Sequence, residues 1–574
     1  MKMELLANEL LLDLFEYLHP LELLHSFYGL NIRLNNLLFL YLRSHSLDCR
    51  WISQRSFTDL CQNILPFITN RLYSIHLSNT DVIPNQINQF FSYGFQLHNI
   101  ASLSLSHVHS TELLTRILLA YPQLRSLHLR KSFLDDEIEK TTRCLNTIWS
   151  LPKLQSCYLD IESKNYFDSS LLIQTSLTLH TVSIENDSVP PAYLIALFNC
   201  TPNLRSLSIN IQPAKDHDQD FSFTIPALTT LKLKLHTSFR MLSYLLKNLS
   251  HLRELSIETD MIWFDGYQWE DVLTNYLKQL KTLHLLMFYR ISQEKDIVEE
   301  MFYLIESYRT SFSTKERQWF IRCDYRREDG TVYLYTLPYG FPKFSRPSCD
   351  MSITTYPTEK MSKAFASVRT LSLDYDLLYL ATQTALQFEN IQCLELFYPF
   401  DDTFWSVITN FHRLKTMEII LSVHSDENYR PIHHVRSLIE RSTSLRSLTI
   451  DYLILSELSS TPMQNCSLRR LDLMSRDGHF YGIECISLIQ AFLGNQCEIL
   501  LINIENHTII FDLLEKLSNL RALTFQCQSD SWDDNNESLV IDDELLQDLK
   551  QRLGSKYSVM RDEDESSIIH VWIC

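Results

Sequence analysis

The stretch Leu204-Arg205-Ser206-Leu207-Ser208-Ile209 decides the fold, because its aliphatic pattern at the first, fourth and sixth positions returns some sixteen times between residues 72 and 525. Upstream it stands at Leu179/Val182/Ile184, Leu154/Cys157/Leu159, Leu124/Leu127/Leu129, Ile100/Leu103/Leu105 and Leu72/Ile75/Leu77. Downstream it stands at Leu228/Leu231/Leu233, Leu252/Leu255/Ile257 and Leu280/Leu283/Leu285. After a gap it resumes at Val368/Leu371/Leu373, Ile391/Leu394/Leu396, Leu414/Met417/Ile419, Leu445/Leu448/Ile450, Leu468/Leu471/Leu473, Ile499/Ile502/Ile504 and Leu520/Leu523/Phe525. Outside the gap, successive starts are about 21 to 31 residues apart. That is the period of one strand plus one helix, a unit that buries its apolar face only against a neighbour. A single copy carries no information, but sixteen specify a solenoid.

Within each copy the last two aliphatics are one residue apart, which puts both on one face of a strand. Between copies the spacing becomes helical, as at Leu113, Leu114, Ile117 and Leu118, at Leu242, Leu245, Leu246 and Leu249, and at Leu513, Leu514 and Leu517. On these phrases the chain resembles the leucine-rich-repeat family over most of its length. The resemblance implies an α/β solenoid, a horseshoe with parallel strands on the concave face and helices outside. The family's turn asparagine, eight positions after the first leucine, is replaced by Thr80, Val108, Ser132, Asp187 or His236. Hydrogen bonds that an asparagine ladder gives to the turn backbone must then come from other groups.

A repeat array evades the usual count of domains per length, so 574 residues are read as one long domain with a small one in front. Hydrophobic content of 45% supports a full core, and only 9 glycines leave almost none for phosphate-wrapping loops. A formal net charge of −18 argues against a nucleic-acid backbone as partner. The 13 cysteines form no CxxC clip and no dense framework; Cys157, Cys323 and Cys393 fall in strands and read as small buried hydrophobes of a reducing compartment. Glu4, Glu9, Asp13 and Glu16 interrupt the apolar N-terminus, which excludes a secretory signal, and no run is long enough to span a bilayer. The sequons at Asn199 and Asn248 are then coincidental, and the expectation is a soluble intracellular chain, cytoplasmic or nuclear.

The first 45 residues predict three short helices: one over residues 4–18, one from Pro20 to Tyr28, one from about Arg33 to Ser44. So small a bundle exposes more leucine than it buries, which implies a partner. Its first stretch, Leu6-Ala7-Asn8-Glu9-Leu10-Leu11-Leu12-Asp13-Leu14-Phe15-Glu16-Tyr17-Leu18, resembles the opening of the F-box motif, and Glu22-Leu23-Leu24 and Leu30-Asn31-Ile32-Arg33-Leu34 resemble its middle. Ala7 stands where that motif has proline and Leu34 where it has tryptophan or phenylalanine. The resemblance implies docking on the adaptor subunit of a cullin-RING ubiquitin ligase, through Leu6, Glu9, Leu10, Leu14, Phe15, Leu18, Leu23, Leu24 and Leu37. The same apolar spacing also suits a helical cap closing the first repeat.

The expected organisation is an F-box over 1–48, a connecting helix over 49–71 that Pro66 ends, and the solenoid over 72–574. The 287–367 gap reads as one modified unit, with a helix near 294–313 and a hairpin around Glu328-Asp329-Gly330, and then an irregular proline-rich loop over 338–362. A helix and hairpin over 540–574 cap the far end.

The chain has no GxxxxGK[ST], HExxH or GxSxG, and His107/His109 and His433/His434 lack ligand partners at useful spacing. Asp216, Asp218 and Asp220 alternate as in a calcium loop, but Phe221 and Ala227 stand where such a loop needs glycine and glutamate. No catalytic residue, metal site or cofactor is expected. What remains is the exposed strand face, where small residues such as Ser126 and Thr230 alternate with His128, Tyr158, Lys232, His284, Glu395, Glu418 and Asp472, the last three making it acidic after residue 390. Serine and threonine also simply suit exposed strand positions. The resemblances together imply the substrate-recognition subunit of an SCF-type ligase, whose repeats bind an unknown target protein. The alternative is a leucine-rich-repeat scaffold that recruits no ligase.

Overall fold

The computed structural model describes residues 6–573 except 19, 51, 53, 80–84, 134–137, 163–173, 213–226, 236–238, 261–263, 291–295, 328–329, 346–349, 358–360, 362, 374–385, 401, 403, 422–431, 460–466, 475–479, 494–495, 529, 531–543 and 563–566. Thr80, His236, the loop carrying Asp216, Asp218 and Asp220, and all but Asp562 of the acidic run 562–565 therefore lie outside the described residues. Two compact units account for the chain, one of residues 1–264 and 268–283, the other of 265–267 and 284–574. Both are mixed α/β, and each contains a large parallel sheet with helices between its strands, as a strand-and-helix repeat requires.

The first unit opens with three helices, α1 (Asn8–Phe15), α2 (Pro20–Phe27) and α3 (Ile32–Ser44). Proline at the first position of α2 costs no hydrogen bond there, and the Asn31 side chain caps α3 by accepting from the Leu34 N–H at 2.8 Å. Phe15 centres the core, its ring 5.3 Å from Phe27 and 5.9 Å from Tyr41. The connection then runs through helical turns from Gln54 to Arg71. Pro66 does not end it. A π-helical turn, Leu60–Ile64, precedes the short helix Leu65–Ile68, and the Leu65 N–H reaches back five residues to the Leu60 carbonyl. The wider turn shifts the hydrogen-bond ladder, so that the donor proline lacks falls in the first turn of the short helix, where none is needed.

Strands β1 (Leu47–Asp48), β2 (Ser74–Ser78), β3 (Ser102–Ser106), β4 (Ser126–Phe133), β5 (Ser156–Glu162), β6 (Thr181–Val189), β7 (Ser206–Ile211), β8 (Thr230–Leu235) and β9 (Glu254–Asp260) lie side by side in chain order, each parallel to the next. The register aligns Ile75, Leu103, Leu127, Cys157, Val182, Leu207, Leu231 and Leu255, all buried. Without the asparagine ladder, turn backbone is satisfied one position at a time. Fully buried Gln86 accepts from the Ser78 N–H and donates to the Cys49 carbonyl, both at 2.8 Å, and Ser132 Oγ accepts from the Val108 N–H at 3.3 Å.

In the second unit, β10 (Thr282–Arg290) pairs antiparallel from Leu286 onward with β12 (Thr331–Leu337), which pairs with β11 (Phe320–Arg326). Residues 338–362 are not an irregular loop. They contribute β13 (Lys343–Ser345), parallel to β15 (Thr370–Leu373), and β14 (Met351–Thr354), antiparallel to β11. Pro338, Pro342 and Pro357 fall outside these strands, so none of the three removes a ladder donor. Inside the antiparallel layer, Asp324 is buried and accepts from Arg322 Nε (2.9 Å), the Tyr335 hydroxyl (2.7 Å) and Ser352 Oγ (2.6 Å).

From β15 the parallel sheet continues through β16 (Cys393–Tyr398), β17 (Thr416–Leu421), β18 (Ser447–Ile450), β19 (Arg470–Asp472), β20 (Ile499–Ile504) and β21 (Ala522–Cys527). There β23 (Ile568–Ile573) pairs antiparallel with β21, and β22 (Tyr557–Arg561) closes the edge. One repeat sits two residues earlier than its aliphatics suggest. Leu471 lies opposite Leu500, not Ile502, so the copy is Cys497/Leu500/Ile502. Leu500, Ile502 and Ile504 alternate along one strand, and a slip of two residues keeps the same face inward, so the pattern alone does not register it. Cys393 is likewise half-buried rather than core, because it lies in register between Thr370 and Thr416 on the outward row.

Replacing Leu207, which is fully buried, with alanine is expected to lower unfolding free energy by about 2–5 kcal/mol through a cavity. Ser208→Ala, one residue along on the other face, should change it by less than about 0.5 kcal/mol. Chemical denaturation of both variants, with equal effects counting against this register, checks the pair.

Candidate functional site

Two surfaces present exposed apolar or titratable side chains at positions the sequence reading singles out. The first is the outside of the N-terminal bundle. Phe15, Leu23, Leu24 and Leu37 are buried in the bundle itself, so their role is to hold the helices together, and Leu6 and Leu18 are half-buried. Glu9, Leu10 and Leu14 face out, Leu10 at 55% exposure. Tyr17, Leu30, Ile32 and Leu40 join them, Ile32 at 80%, although none of these four is among the docking residues that the F-box resemblance implies. Helical spacing holds the signal: Leu34, Leu37, Leu38 and Tyr41 fill one side of α3, and Ile32 and Leu40 are left on the other. Arg33 ties the first helix to the third, its Nε donating to Asn8 Oδ1 at 2.9 Å and its Nη2 to the Leu6 carbonyl at 2.5 Å. An open pocket beside them is lined by Asn31, Ile32, Arg33 and Leu34.

The second surface is the outward strand face. In the first unit the register places Ser74, Ser102, Ser126, Ser156, Thr181, Ser206 and Thr230 in one row. The next outward row reads His76, Ser104, His128, Tyr158, Ser183, Ser208, Lys232 and Ser256. His128 and Tyr158 are therefore neighbours, ring centroids 5.9 Å apart, while Lys232 stands three strands from Tyr158. Arg130 and Glu185 complete the group. The Arg130 guanidinium lies 5.6 Å from the centre of the Tyr158 ring, the Tyr158 hydroxyl donates to Glu185 Oε2 at 2.8 Å, and Ser183 Oγ donates to Glu185 Oε1 at 3.1 Å. Only the register reveals that Arg130 and Glu185, from β4 and β6, flank one tyrosine.

Burial, and then the positive charge of Arg130, hold the His128 imidazole below its ordinary range. Burial does the same at His76, against the opposing pull of Asp48. Asp48 is itself gripped by Arg50, whose Nε and Nη2 donate to its two oxygens at 2.9 and 2.6 Å; burial raises the carboxyl and these bonds more than offset it. The Tyr158 hydroxyl is pushed up by burial and by its bond to Glu185.

In the second unit Glu395 lies directly opposite Glu418, with Thr449 and then Asp472 continuing the row. Asp472 does not extend an acidic strip, because Arg470 Nη2 sits 3.2 Å from its carboxylate and neutralises it. His284 is covered: Phe341 meets its ring edge-on at 6.4 Å, and a Cβ at Gly340 would fall against the ring itself. Among the described residues no cluster of His, Cys, Asp or Glu is placed to hold a metal ion, and no helix is long and apolar enough to cross a membrane.

No protein-family model matches the chain, and no curated protein matches it. Among solved structures it is similar to the crystal structure of the Rad7 and Elc1 complex in yeast, with 13% identity and a TM-score of 0.27 over 88% of this chain and 89% of that one.

The two depressed histidines make stability depend on pH. Unfolded imidazole titrates near about 6.5, so below that value the unfolded chain binds more protons than the folded one. Their contribution is complete above about 6.5 and is lost as pH falls through the lower folded values. The melting temperature is expected to drop on acidification from about pH 7.5 to 5.5, and less steeply in a His76→Gln/His128→Gln variant. Identical slopes would place the titration elsewhere.

Proposed function

We propose that the chain is the substrate-recognition subunit of an SCF-type ubiquitin ligase, a non-catalytic leucine-rich-repeat protein whose N-terminal F-box docks on the ligase adaptor. One observation carries this reading. The bundle closes a core of its own around Phe15 and still leaves Leu10, Leu14, Tyr17, Leu30, Ile32 and Leu40 exposed, six of the sixteen exposed large hydrophobics among the described residues, within about 30 residues of chain. Helices that served only to cap the first repeat would turn such residues toward it. Exposed apolar groups so concentrated mark a surface that a partner covers.

The two departures from the F-box pattern are compatible with the bundle. Ala7 adopts φ −62° and ψ 155° just before α1, the backbone that proline favours, and Leu34 is buried with its N–H held by the Asn31 cap. In this reading the target protein is held on an outward strand face, for which the Arg130, Tyr158 and Glu185 group of the first unit and the Glu395 and Glu418 pair of the second are separate candidates. The chain would then accelerate transfer by raising the effective concentration of target lysines near the ubiquitin-carrying enzyme, with none of its residues touching the reacting bond.

Leu10→Glu with Leu14→Glu should abolish copurification of the ligase adaptor while leaving the melting temperature within a few degrees, since Leu10 is 55% and Leu14 37% exposed and a glutamate at either position reaches water. Adaptor retained by this folded double variant would sink the assignment. Phe15→Ala serves as the contrast: it should lose adaptor through an unfolded bundle, at a cost of about 3–5 kcal/mol. Ala7→Pro should keep the adaptor and stabilise the bundle by about 0.4–1 kcal/mol, because it restricts only the unfolded chain; thermal melts of the full chain read the sign.

A further inference from the structure

The helix Ile297–Ser307, in the stretch that interrupts the repeats, carries apolar side chains on both sides. Its inward side is complete, with Met301, Leu304, Ile305 and the adjoining Tyr308 buried. Its outward side nonetheless presents Val298, Phe302 and Tyr303, the two rings each 52% exposed, with Val298 and Phe302 one turn apart. Tyr267 adds a third ring at 55% exposure. The Tyr303 hydroxyl donates to Asp265 Oδ2 at 3.3 Å and is pushed up first by Asp265 and further by Tyr267 and Glu300, so these groups share one neighbourhood.

The charged side chains along this helix have one sign. From Asp296 to Tyr308 the chain contains Asp296, Glu299, Glu300 and Glu306 and no lysine or arginine. Arg309, the next cation in the chain, sits 2.6 Å from Glu306 and neutralises it, so Asp296, Glu299 and Glu300 carry the negative charge. An aromatic centre beside acidic side chains sets what it accepts. An anionic bilayer would be repelled, and a second copy in a two-fold contact would set the same carboxylates against each other. We propose that this face docks a basic amphipathic helix of a partner protein, with the partner's apolar side on Val298, Phe302, Tyr303 and Tyr267 and its lysines or arginines on the carboxylates around them. Such a helix lays anchors one turn apart against the Val298 and Phe302 ridge, the spacing by which helices pack. The site is independent of the adaptor reading, which rests on Leu10 to Leu40.

The test uses the full chain and a synthetic peptide of about 18 residues, some five helical turns, with leucines on one face and lysines on the other, at about 0.15 M salt to screen nonspecific attraction to an acidic protein. Fluorescence anisotropy should show binding, and hydrogen exchange should show protection of 267 and 297–307. Phe302→Ser/Tyr303→Ser should weaken binding at least about tenfold with an unchanged melting temperature, and Glu299→Lys/Glu300→Lys should do the same while gaining affinity for the leucine/glutamate version of the peptide. Equal affinity for the wild type and the serine variant, or protection confined to residues 8–44, overturns the proposal. A wild-type dimer that the serine variant dissolves overturns it in favour of a second copy, and binding to phosphatidylserine vesicles that the same variant loses overturns it in favour of a membrane.

Discussion

The strands that carry the repeated phrase turn aliphatics inward that only their neighbours can cover, and the rest of the architecture depends on that constraint. A strand such as Ser206–Ile211 sends Leu207 and Ile209 to one side, and the parallel register stacks them between Val182 and Ile184 on one edge and Leu231 and Leu233 on the other. Burial of this kind contributes about 25 cal/mol per Å² of apolar surface, and shifting one strand by a single residue would turn its whole apolar set outward. The alternation that buries one row necessarily exposes the next, which is why a continuous outward surface accompanies the core. Beyond β21, an antiparallel hairpin takes the place of a neighbouring repeat strand.

Polar groups are handled locally rather than by one repeated device. Gln86 bridges the first repeat to the connecting segment, and Ser132 serves a single turn. The buried pair of Arg322 and Asp324 is the most consequential of these. Removing one member of such a pair costs about 3–5 kcal/mol, because the other charge is left in a low dielectric, whereas a half-exposed pair such as Lys234 and Glu258 contributes about 0–1 kcal/mol. The antiparallel layer that interrupts the repeats is therefore held by a specific polar network as well as by its apolar core.

Function, on the ligase-subunit reading, is distributed in the same way as stability. A bundle that needs Phe15 for its own core offers Leu10, Leu14 and Ile32 to a partner, and a strand face that needs Leu127 and Cys157 for the core offers His128, Tyr158 and Arg130. The helix Ile297–Ser307 repeats that division with Leu304 inside and Phe302 outside. In each case one element supplies both a buried and an exposed side, so substitutions on the two sides have separable consequences.

Periodicity in the sequence was enough to place the strands that carry the repeated phrase, the helices between them and the aliphatic rows those strands turn inward, because these depend on spacing along one segment. It was enough to place the three N-terminal helices and the hairpin near residue 330 for the same reason. Pairing between segments was decided only in the tertiary structure. The true register of β20, the recruitment of 343–345 and 351–354 into sheets, the passage of a helix through Pro66 and the neutralisation of Asp472 by Arg470 each depend on which backbone or charge lies across a gap of a few ångströms. So does the division of the bundle's leucines between core and surface. Phe15 and Leu14 are adjacent in the chain and both strongly apolar, and only the position of α3 beside one of them buries Phe15 and leaves Leu14 to the solvent.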